Sequence, residues 1–297
     1  MKYLITGFSG FLGSHLTDRL LKDGHEVIGI DRSIKHKNIE KHPSLKTYHD
    51  NIFGNIADLF KDVDVVFHLA ALTRPQWSIK YPYETSEVNV MGTIKVLEHA
   101  KNNKVKRIVF MSSSNLYGEV DEYPTSENVK PNPMNTYALS KLIGEQYCEL
   151  FEKLYGLEWN SCRPFNAYGS RMPFSGIYTS AVATFIDVLK NDKPLQMYGD
   201  GNQRRDFIYV DDIVDQLILM AHSKVHGEAF NCGSGTNTSI NELLGIIQKI
   251  MGKNITPQRI PAQYEPSQTL ADISKANSKL NWKPNVGLEE GLRRIIE

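Results

Sequence analysis

Apolar residues in the first half of the chain fall into short blocks. "KYLITG" is the first, and "EVIGID", "VDVVFHLAA" and "KRIVFMSSS" repeat it. Each is rich in β-branched or aromatic residues and too short for an ordinary helix, so each predicts a buried strand. Between them, "FLGSHLTDRLLKDG" and "NVMGTIKVLEHAKNN" space their apolar residues as a helix does, the first ending near Gly24. Strands apolar on both faces and divided by amphipathic helices predict a parallel sheet covered on both sides, with right-handed crossovers. A longer helix starts near Tyr137 and runs to about Tyr155, and "EWNSCRPFN" is a further strand candidate.

After Asn166 the rhythm changes. Glycine and proline recur through residues 167–210 around one helical run, "YTSAVATFIDVLKN". "GEAFNCGSG" predicts a strand and "SINELLGIIQKIMG" a helix. The last 26 residues predict two short helices around a Trp-Lys-Pro turn. The fold class expected is α/β: a Rossmann-like, doubly wound parallel sheet with a smaller C-terminal region. Residues 1–166 form the nucleotide-binding core, and residues 167–297 form a mostly substrate-binding region partly interleaved with it.

Composition narrows the function classes. With 41% hydrophobic and 23% charged residues the chain has the balance of a soluble globular protein. Lys plus Arg is 34 and Asp plus Glu is 34. Zero net charge gives no bulk reason to bind nucleic acid or an anionic membrane. No apolar run approaches the roughly 20 residues needed to span a bilayer. The start "MKYLITG" enters a strand at once, leaving no room for a signal peptide. The three cysteines, Cys148, Cys162 and Cys232, fit no metal or disulfide pattern and suit a reducing compartment. A cytoplasmic protein without membrane or nucleic-acid partners is expected.

Chemistry first shows in "TGFSGFLG", where Gly7, Gly10 and Gly13 follow a strand and open a helix. Gly7 suits the tight turn, Gly10 the approach of a pyrophosphate, and Gly13 close packing of helix on strand. Three spaced glycines alone also make a plain structural turn. The flanking strand and helix, and Asp31 at the end of the second strand, favour a dinucleotide. A carboxylate there accepts from both ribose hydroxyls and repels a 2′-phosphate, so NAD is expected over NADP. Arg32 beside it is a group that reaches a phosphate. In "HDNI", Asp50 or Asn51 is placed near the adenine, and the sequence does not choose between them.

"NTYALSK" sets Tyr137 and Lys141 four residues apart on one helical face. A tyrosine titrates near ~10, too high for an efficient base, and a neighbouring ammonium favours its phenolate. "SSSNLYG" supplies Ser112, Ser113 and Ser114 after a strand, where open α/β sheets build their sites. A surface Tyr-Lys pair and a serine turn would be the bland account of either feature alone.

Taken together, these residues resemble the extended short-chain dehydrogenase/reductases of the NAD-dependent epimerase/dehydratase family. The resemblance spans nearly the whole chain. It is carried by the three glycines, Asp31, "FHLAA", Asn89, the serine run before Tyr117, the Tyr137/Lys141 pair, "RPFNAYG", "YGDGNQRRDFIYVDD" and "LADISKA". It implies Tyr137 as acid/base, Lys141 as the group that binds the nicotinamide ribose and lowers the tyrosine pKa, and Ser113 as the catalytic hydroxyl. Phe11, Leu12, Arg32, Leu69, Ala70, Ala71, Ser112 and Pro164 join the cofactor set, with Asn89 as a structural residue behind it. Ser113, Ser114, Asn166, Tyr198, Arg205 and Thr269 join Tyr137 in a substrate set for a nucleotide sugar, with Asn166 and Arg205 on the diphosphate and Tyr198 on the base. A homodimer through two amphipathic helices is the family expectation.

The 4,6-dehydratases of this family look like Thr-Asp-Glu at the catalytic strand end, where this chain has Ser113, Ser114 and Asn115. None of these is a carboxylic acid or base. Decarboxylases of UDP-glucuronate usually carry Glu at the position of Asn115. A 4-epimerase needs only the Tyr-Lys-Ser set, and UDP-glucose/UDP-galactose or their N-acetyl forms are the expected substrates. A nucleotide-4-ketosugar reductase or another NDP-sugar epimerase/decarboxylase of the same family is the alternative, and an NAD-binding regulator the non-enzyme alternative. Two departures stand out: Ala262 and Gln263 near the position of an arginine for the diphosphate, and Thr73 where some epimerases carry Lys. Thr269 matches a position whose size limits the group at sugar C2. No metal site is expected: His68 has no partner at metal-ligand spacing and reads as a core histidine. Trp77, Trp159 and Trp282 read as packing residues.

Overall fold

In the computed structural model of the chain, residues 1–34, 38–174, 180–262 and 265–297 are described. The first half contains β1 Lys2–Thr6, α1 Phe11–Lys22, β2 Glu26–Asp31, β3 Leu45–His49, β4 Val65–His68, α2 Pro75–Lys80, α3 Pro82–Ser86, α4 Gly92–Asn102, β5 Arg107–Met111, α5 Thr136–Tyr155 and β6 Glu158–Pro164. The second contains β7 Asn166–Tyr168, α6 Ala181–Lys190, β8 Gln196–Tyr198, β9 Arg204–Arg205, β10 Phe207–Tyr209 and α7 Val210–His222. It ends with β11 Glu228–Cys232, β12 Thr238–Ser239, α8 Ile240–Met251, β13 Gln258–Ile260, α9 Ser274–Leu280 and α10 Leu288–Ile296.

Seven strands form one parallel sheet in the order β11-β6-β5-β4-β1-β2-β3. The order reverses between β4 and β1, which opens a crevice at their C-terminal ends. Tyr3, Ile5, Val65 and Phe67 face α1, α7 and α9 through Leu16, Leu20, Ile213, Leu217 and Ala276. Leu4, Ile28, Val66, Ile108 and Phe110 face α4 and α5 through Val96, Leu97 and Cys148. Burial on both faces is why these strands read as unbroken apolar runs. A second core joins α6, α8 and α10 through Phe185, Ile186, Leu243, Ile247 and Leu292. Residues 210–232 return to the main sheet as α7 and β11, so the later part of the chain also completes the first layer.

Helix ends follow their sequence signals. Asn135 caps α5 by accepting from Ala138 N, and Gly156 ends it at φ 70°. Ser239 and Glu242 form a capping box on α8.

Several elements lie outside the hydrophobic pattern. β3 is an edge strand with mostly exposed side chains, so its sequence "LKTYH" carries no apolar run. α2 and α3 are single turns, each starting on a proline. The strand expected through Asn166 stops at Pro164, and Asn166 begins β7, which pairs with β10 instead.

Candidate functional site

Gly7 turns the chain at φ 75°, and a Cβ there would lie 2.9 Å from Ala70 N. The first turn therefore presses against the exit of β4 at the switch point. A Cβ at Gly13 would fall 2.2 Å from Gly7 O, which requires glycine for α1 to leave the strand so closely. At Gly10 a Cβ would meet only Gly7 O, at 3.2 Å. Gly10 also caps α1 without a side chain, leaving first-turn N–H groups available to an anion. Phe11 and Leu12 open that helix.

Asp31 ends β2 and accepts from Ser9 Oγ at 3.0 Å, Ser9 N at 3.2 Å and Ser33 N at 3.1 Å. Ser9 was not singled out by the motif reading, which weighed only the glycines. Arg32 is exposed beside it. Asp50 and Asn51 build a turn on themselves: Asp50 accepts from Asn51 N and Asn51 from Phe53 N. Asp50 N donates to Asp31 O, which brings this turn to the β2 end.

The β4 exit is clamped. Leu69 N bonds Thr6 O, and Ala70 N bonds Thr6 Oγ1. Ala71 is half-buried next to them. Asn89 accepts from Leu72 N at 2.8 Å and donates to Leu72 O at 3.0 Å and Ser140 Oγ at 3.0 Å. It thus ties the loop after β4 to α5, a structural role. His68 spans Thr6 Oγ1 and Thr93 Oγ1, at 2.7 and 3.0 Å. Burial, and then Lys141, push its pKa down to about 3. Trp159 and Trp282 are buried, as packing residues would be. Trp77 stacks on Tyr81 with ring centroids 4.3 Å apart.

Tyr137 is buried on the first turn of α5, with its N–H on Ser78 Oγ. Ser113 is the group that opposes the effect of burial on its phenol. Lys141 is also buried and donates to Met111 O at 2.7 Å, leaving two ammonium protons for a ligand. Its Nζ stands 5.0 Å from the Phe110 ring centroid and 5.9 Å from that of Tyr137. The expected lowering of the tyrosine pKa by Lys141 is not what this geometry gives. Burial pushes Tyr137 up, and the opposing effect comes from Ser113. Lys141 itself is pushed down to about 7, by burial first, with Glu145 opposing. Desolvation of both groups, and a lysine aimed at Met111 O, account for the difference.

Ser112 Oγ is buried without a partner just past the end of β5. Ser114 starts the 3₁₀ turn Ser114–Tyr117. Asn115 donates to Ser113 Oγ through both N, at 3.2 Å, and Nδ2, at 3.0 Å.

Beneath Lys141 lies a network the sequence reading did not contain. Glu145, one further turn along α5, takes Arg163 Nε at 2.9 Å and Nη2 at 2.6 Å, plus Ser161 Oγ at 2.8 Å. Arg163 Nη1 donates to Tyr117 Oη, which donates to Asn231 Oδ1 at 2.7 Å. The spacing of Tyr137, Lys141 and Glu145, each four residues from the next, was the available signal.

Beyond Pro164, at the end of β6, Asn166 Nδ2 donates to Asp206 O at 2.9 Å and to Thr269 Oγ1 at 3.2 Å. Arg205, nearly buried, donates to Arg204 O and pairs with Glu265 at 3.1 Å. Arg204 instead holds Asn237 and Glu242, so it is not a free solvated charge. Tyr198 is exposed at the end of β8. Ala262 lies near Gly199. Gln263 lies outside the described residues. Arg259 bonds Asn241 Oδ1 at 2.9 Å and also contacts Met197 Sδ. Thr73 is exposed.

Among the described residues, no three His, Cys, Asp or Glu side chains are grouped to hold a metal ion, and no helix is long and apolar enough to cross a membrane.

Known proteins bear on this arrangement. The chain is 34% identical over 307 residues to a UDP-glucose 4-epimerase of Mycolicibacterium smegmatis, covering 100% of this chain and 98% of that one. Its structure superposes on a UDP-N-acetylglucosamine 4-epimerase from Methanobrevibacter ruminantium with a TM-score of 0.96, at 33% identity over 99% of this chain and 96% of that one. A UDP-glucuronic acid 4-epimerase of Bacillus cereus, solved with UDP-glucuronic acid and NAD, gives 0.94 at 34% identity over 100% and 98%. The model of the NAD dependent epimerase/dehydratase family matches residues 3–233, from the first strand of the sheet to just past the last. A match that runs through the glycine turn, Asp31 and the Tyr137 helix without a break makes the chain a member of the NAD-dependent epimerase/dehydratase family.

Proposed function

We propose that the chain epimerises a UDP-hexose at C4, with UDP-glucose/UDP-galactose or their N-acetyl forms as substrates. The observation that carries this reading is the buried Tyr137 phenol, with Ser113 as the group that opposes burial in setting its pKa, beside a strand end with no carboxylic acid. Asn115 stands where a dehydratase would need one. The relatives named above act on UDP-glucose, UDP-N-acetylglucosamine and UDP-glucuronic acid, which supports the UDP-sugar class.

The residues present fit NAD. The glycine turn leaves room and N–H groups for a pyrophosphate, Asp31 at the end of β2 would accept from a ribose diol, and Ser112 Oγ and two Lys141 protons would serve the nicotinamide end. NAD supplies reversible oxidation at sugar C4. Tyr137 takes the proton of the C4 hydroxyl and later returns it. Ser113 holds the C4 oxygen, and Lys141 would give its remaining protons to the nicotinamide ribose. Asn166 and Arg205 hold the diphosphate while the 4-keto sugar turns over, and Tyr198 packs on the base. In this reading residues 1–166 serve the dinucleotide, and the later region presents the sugar-nucleotide contacts.

A second copy of the chain is the proposed partner. Leu139, Leu150 and Leu154 on α5 and Met91 at the start of α4 are large apolar side chains left exposed. Burying them against their symmetry mates gives a homodimer. Sedimentation showing a monomer at micromolar concentration would exclude it.

The reaction is tested by incubating purified protein, with and without NAD, with UDP-glucose, UDP-N-acetylglucosamine and UDP-glucuronate. Products are resolved by NMR, with Tyr137→Phe as control. A C4 epimer from wild type alone supports the reading. No C4 epimer from any of the three sugars, even with added NAD, overturns it.

A further inference from the structure

We propose that Thr93 is a positioning residue: it fixes which ring nitrogen of His68 carries the proton, and the hydrogen-bond chain this completes seats the Tyr137 turn of α5 against the glycine turn. Its effect on turnover rests on Tyr137 as the acid/base of the proposed reaction.

Thr93, near the start of α4, has one hydroxyl proton, and it goes to Asn89 O at 2.6 Å. A carbonyl can only accept, so Thr93 has no proton left for His68, whose Nε2 lies 3.0 Å from Thr93 Oγ1. That bond therefore runs from ring to hydroxyl, and Nε2 carries the proton. Both hydrogen-bond contacts of the ring are hydroxyls, and burial beside Lys141 keeps it neutral. Nδ1 must then accept. It lies 2.7 Å from Thr6 Oγ1, which itself accepts from Ala70 N at 3.2 Å. Thr6 gives its proton to the ring.

The chain continues at Asn89, in the π turn Glu87–Met91 that joins α3 to α4. Its side chain holds Leu72 N and O and donates to Ser140 Oγ, which passes its own proton to Tyr137 O at 2.7 Å. At the other end Thr6 adjoins Gly7, the glycine that packs against Ala70. Each hydroxyl along the way has a single direction, so the chain runs without a break from the glycine turn to the first turn of α5. Thr6, His68, Asn89, Thr93 and Ser140 are all buried, where water does not compete for these bonds. Without the Thr93 hydroxyl, a proton on Nε2 has no acceptor. The ring can recover a bond only by carrying its proton on Nδ1 and donating to Thr6. That reverses the first half of the chain, and Asn89 O loses its hydroxyl donor.

The test is NMR of the full chain, isotopically labelled at histidine and tyrosine nitrogens, with turnover measured beside it. Long-range nitrogen–proton spectra distinguish the two tautomers. His68→Gln identifies the ring signals, and Tyr137→Phe identifies the Tyr137 amide. Wild type is expected to carry the His68 proton on Nε2. Thr93→Val keeps the shape and removes the hydroxyl. It is expected to move the proton to Nδ1, shift the Tyr137 amide signal, and lower kcat on UDP-glucose about ten-fold while KM changes less than about two-fold. Thr93→Ser is expected to restore all of these. A wild-type ring protonated on Nδ1 overturns the proposal, and that spectrum decides even where Thr93→Val fails to fold. So does a Thr93→Val protein whose proton stays on Nε2, or whose Tyr137 amide does not move. The spectra do not need turnover, so a chain that fails to epimerise while its tautomer and Tyr137 amide follow Thr93 loses the reaction and keeps the role of Thr93.

Discussion

Glu265 Oε2 lies 3.1 Å from Arg205 Nη2, so the arginine proposed for the substrate diphosphate already holds an anion. Arg205 is nearly buried and Glu265 largely accessible, which makes the carboxylate the partner that leaves. A diphosphate must displace it. Glu265→Gln removes the competitor and keeps the shape. With Glu265 accessible to solvent, the pair is screened toward the surface range of about 0–1 kcal/mol, so UDP should bind up to about five-fold more tightly. The gain should fade at high salt. Calorimetric titration of UDP into both proteins reads this directly, and weaker binding by the variant would show that Glu265 helps the ligand instead.

The Glu145–Arg163 pair makes a different kind of prediction, because both partners are buried. Glu145→Gln leaves Arg163 charged and can accept only one of the two hydrogen bonds it gives Glu145. Breaking a buried pair from one side costs about 3–5 kcal/mol. Arg163→Met strands the carboxylate and should cost a similar amount. Glu145 also opposes the loss of charge at Lys141. Removing it should shift to lower pH the decline in activity that follows Lys141 deprotonation. Urea unfolding and a pH profile of the same variant check the two effects separately. Full stability in Glu145→Gln would mean that the network relaxes around the change.

His68 gives the fold an acid-sensitive point. Its pKa is about 3 when folded against 6.5 for the free side chain. Above 6.5 both states are neutral and its stabilising bridge between Thr6 and Thr93 is whole. As pH falls from 6.5 toward 3, the unfolded chain takes up a proton that the folded chain refuses, and stability is lost. The loss attributable to this residue should reach about 3 kcal/mol near pH 4. His68→Gln should flatten that part of the stability curve while lowering stability at neutral pH. Parallel denaturant series from about pH 7 to about pH 4 would show equal slopes if His68 were not responsible.

The sequence reveals the sheet because its strands are buried on both faces. Tyr3 to Ile5, Val65 to Phe67 and Ile108 to Phe110 are apolar without interruption, and no other local structure uses that pattern so briefly. It does not reveal β3, whose exposed side chains place it at the sheet's edge only through backbone pairing with β2. The site divides in the same way. Gly7, Asp31 and Tyr137 stand at or beside element ends and Lys141 one turn along from Tyr137, positions that motif spacing picks out. Arg163 is hidden in "SCRPF", which reads as strand core, and its partner Glu145 lies 18 residues away. Ser113 and Asn115 are neighbours in the chain, but the direction of the bond between them depends on side-chain geometry. Glu265 contacts Arg205 across 60 residues, a separation that carries no periodicity.

Thr269 is the residue whose size is proposed to bear on which sugar is used. Its Oγ1 accepts from Asn166 Nδ2 and from Asp206 N, both at 3.2 Å, so it is part of the wall that positions Asn166. Two substitutions separate that bonding role from the size of the side chain. Thr269→Val keeps the volume and removes the acceptor. It should raise KM for UDP-glucose and UDP-N-acetylglucosamine alike, by a factor of about 5 to 30, because a partly buried donor is left unpaired and Asn166 is released. Thr269→Tyr adds bulk. If the side chain borders the C2 substituent, the variant should lose kcat/KM on UDP-N-acetylglucosamine at least about ten-fold more than on UDP-glucose. The ratio of the two kcat/KM values is the measurement, since it cancels any general damage to the fold. A ratio unchanged by Thr269→Tyr would move the C2 pocket elsewhere and leave Thr269 as a brace for Asn166.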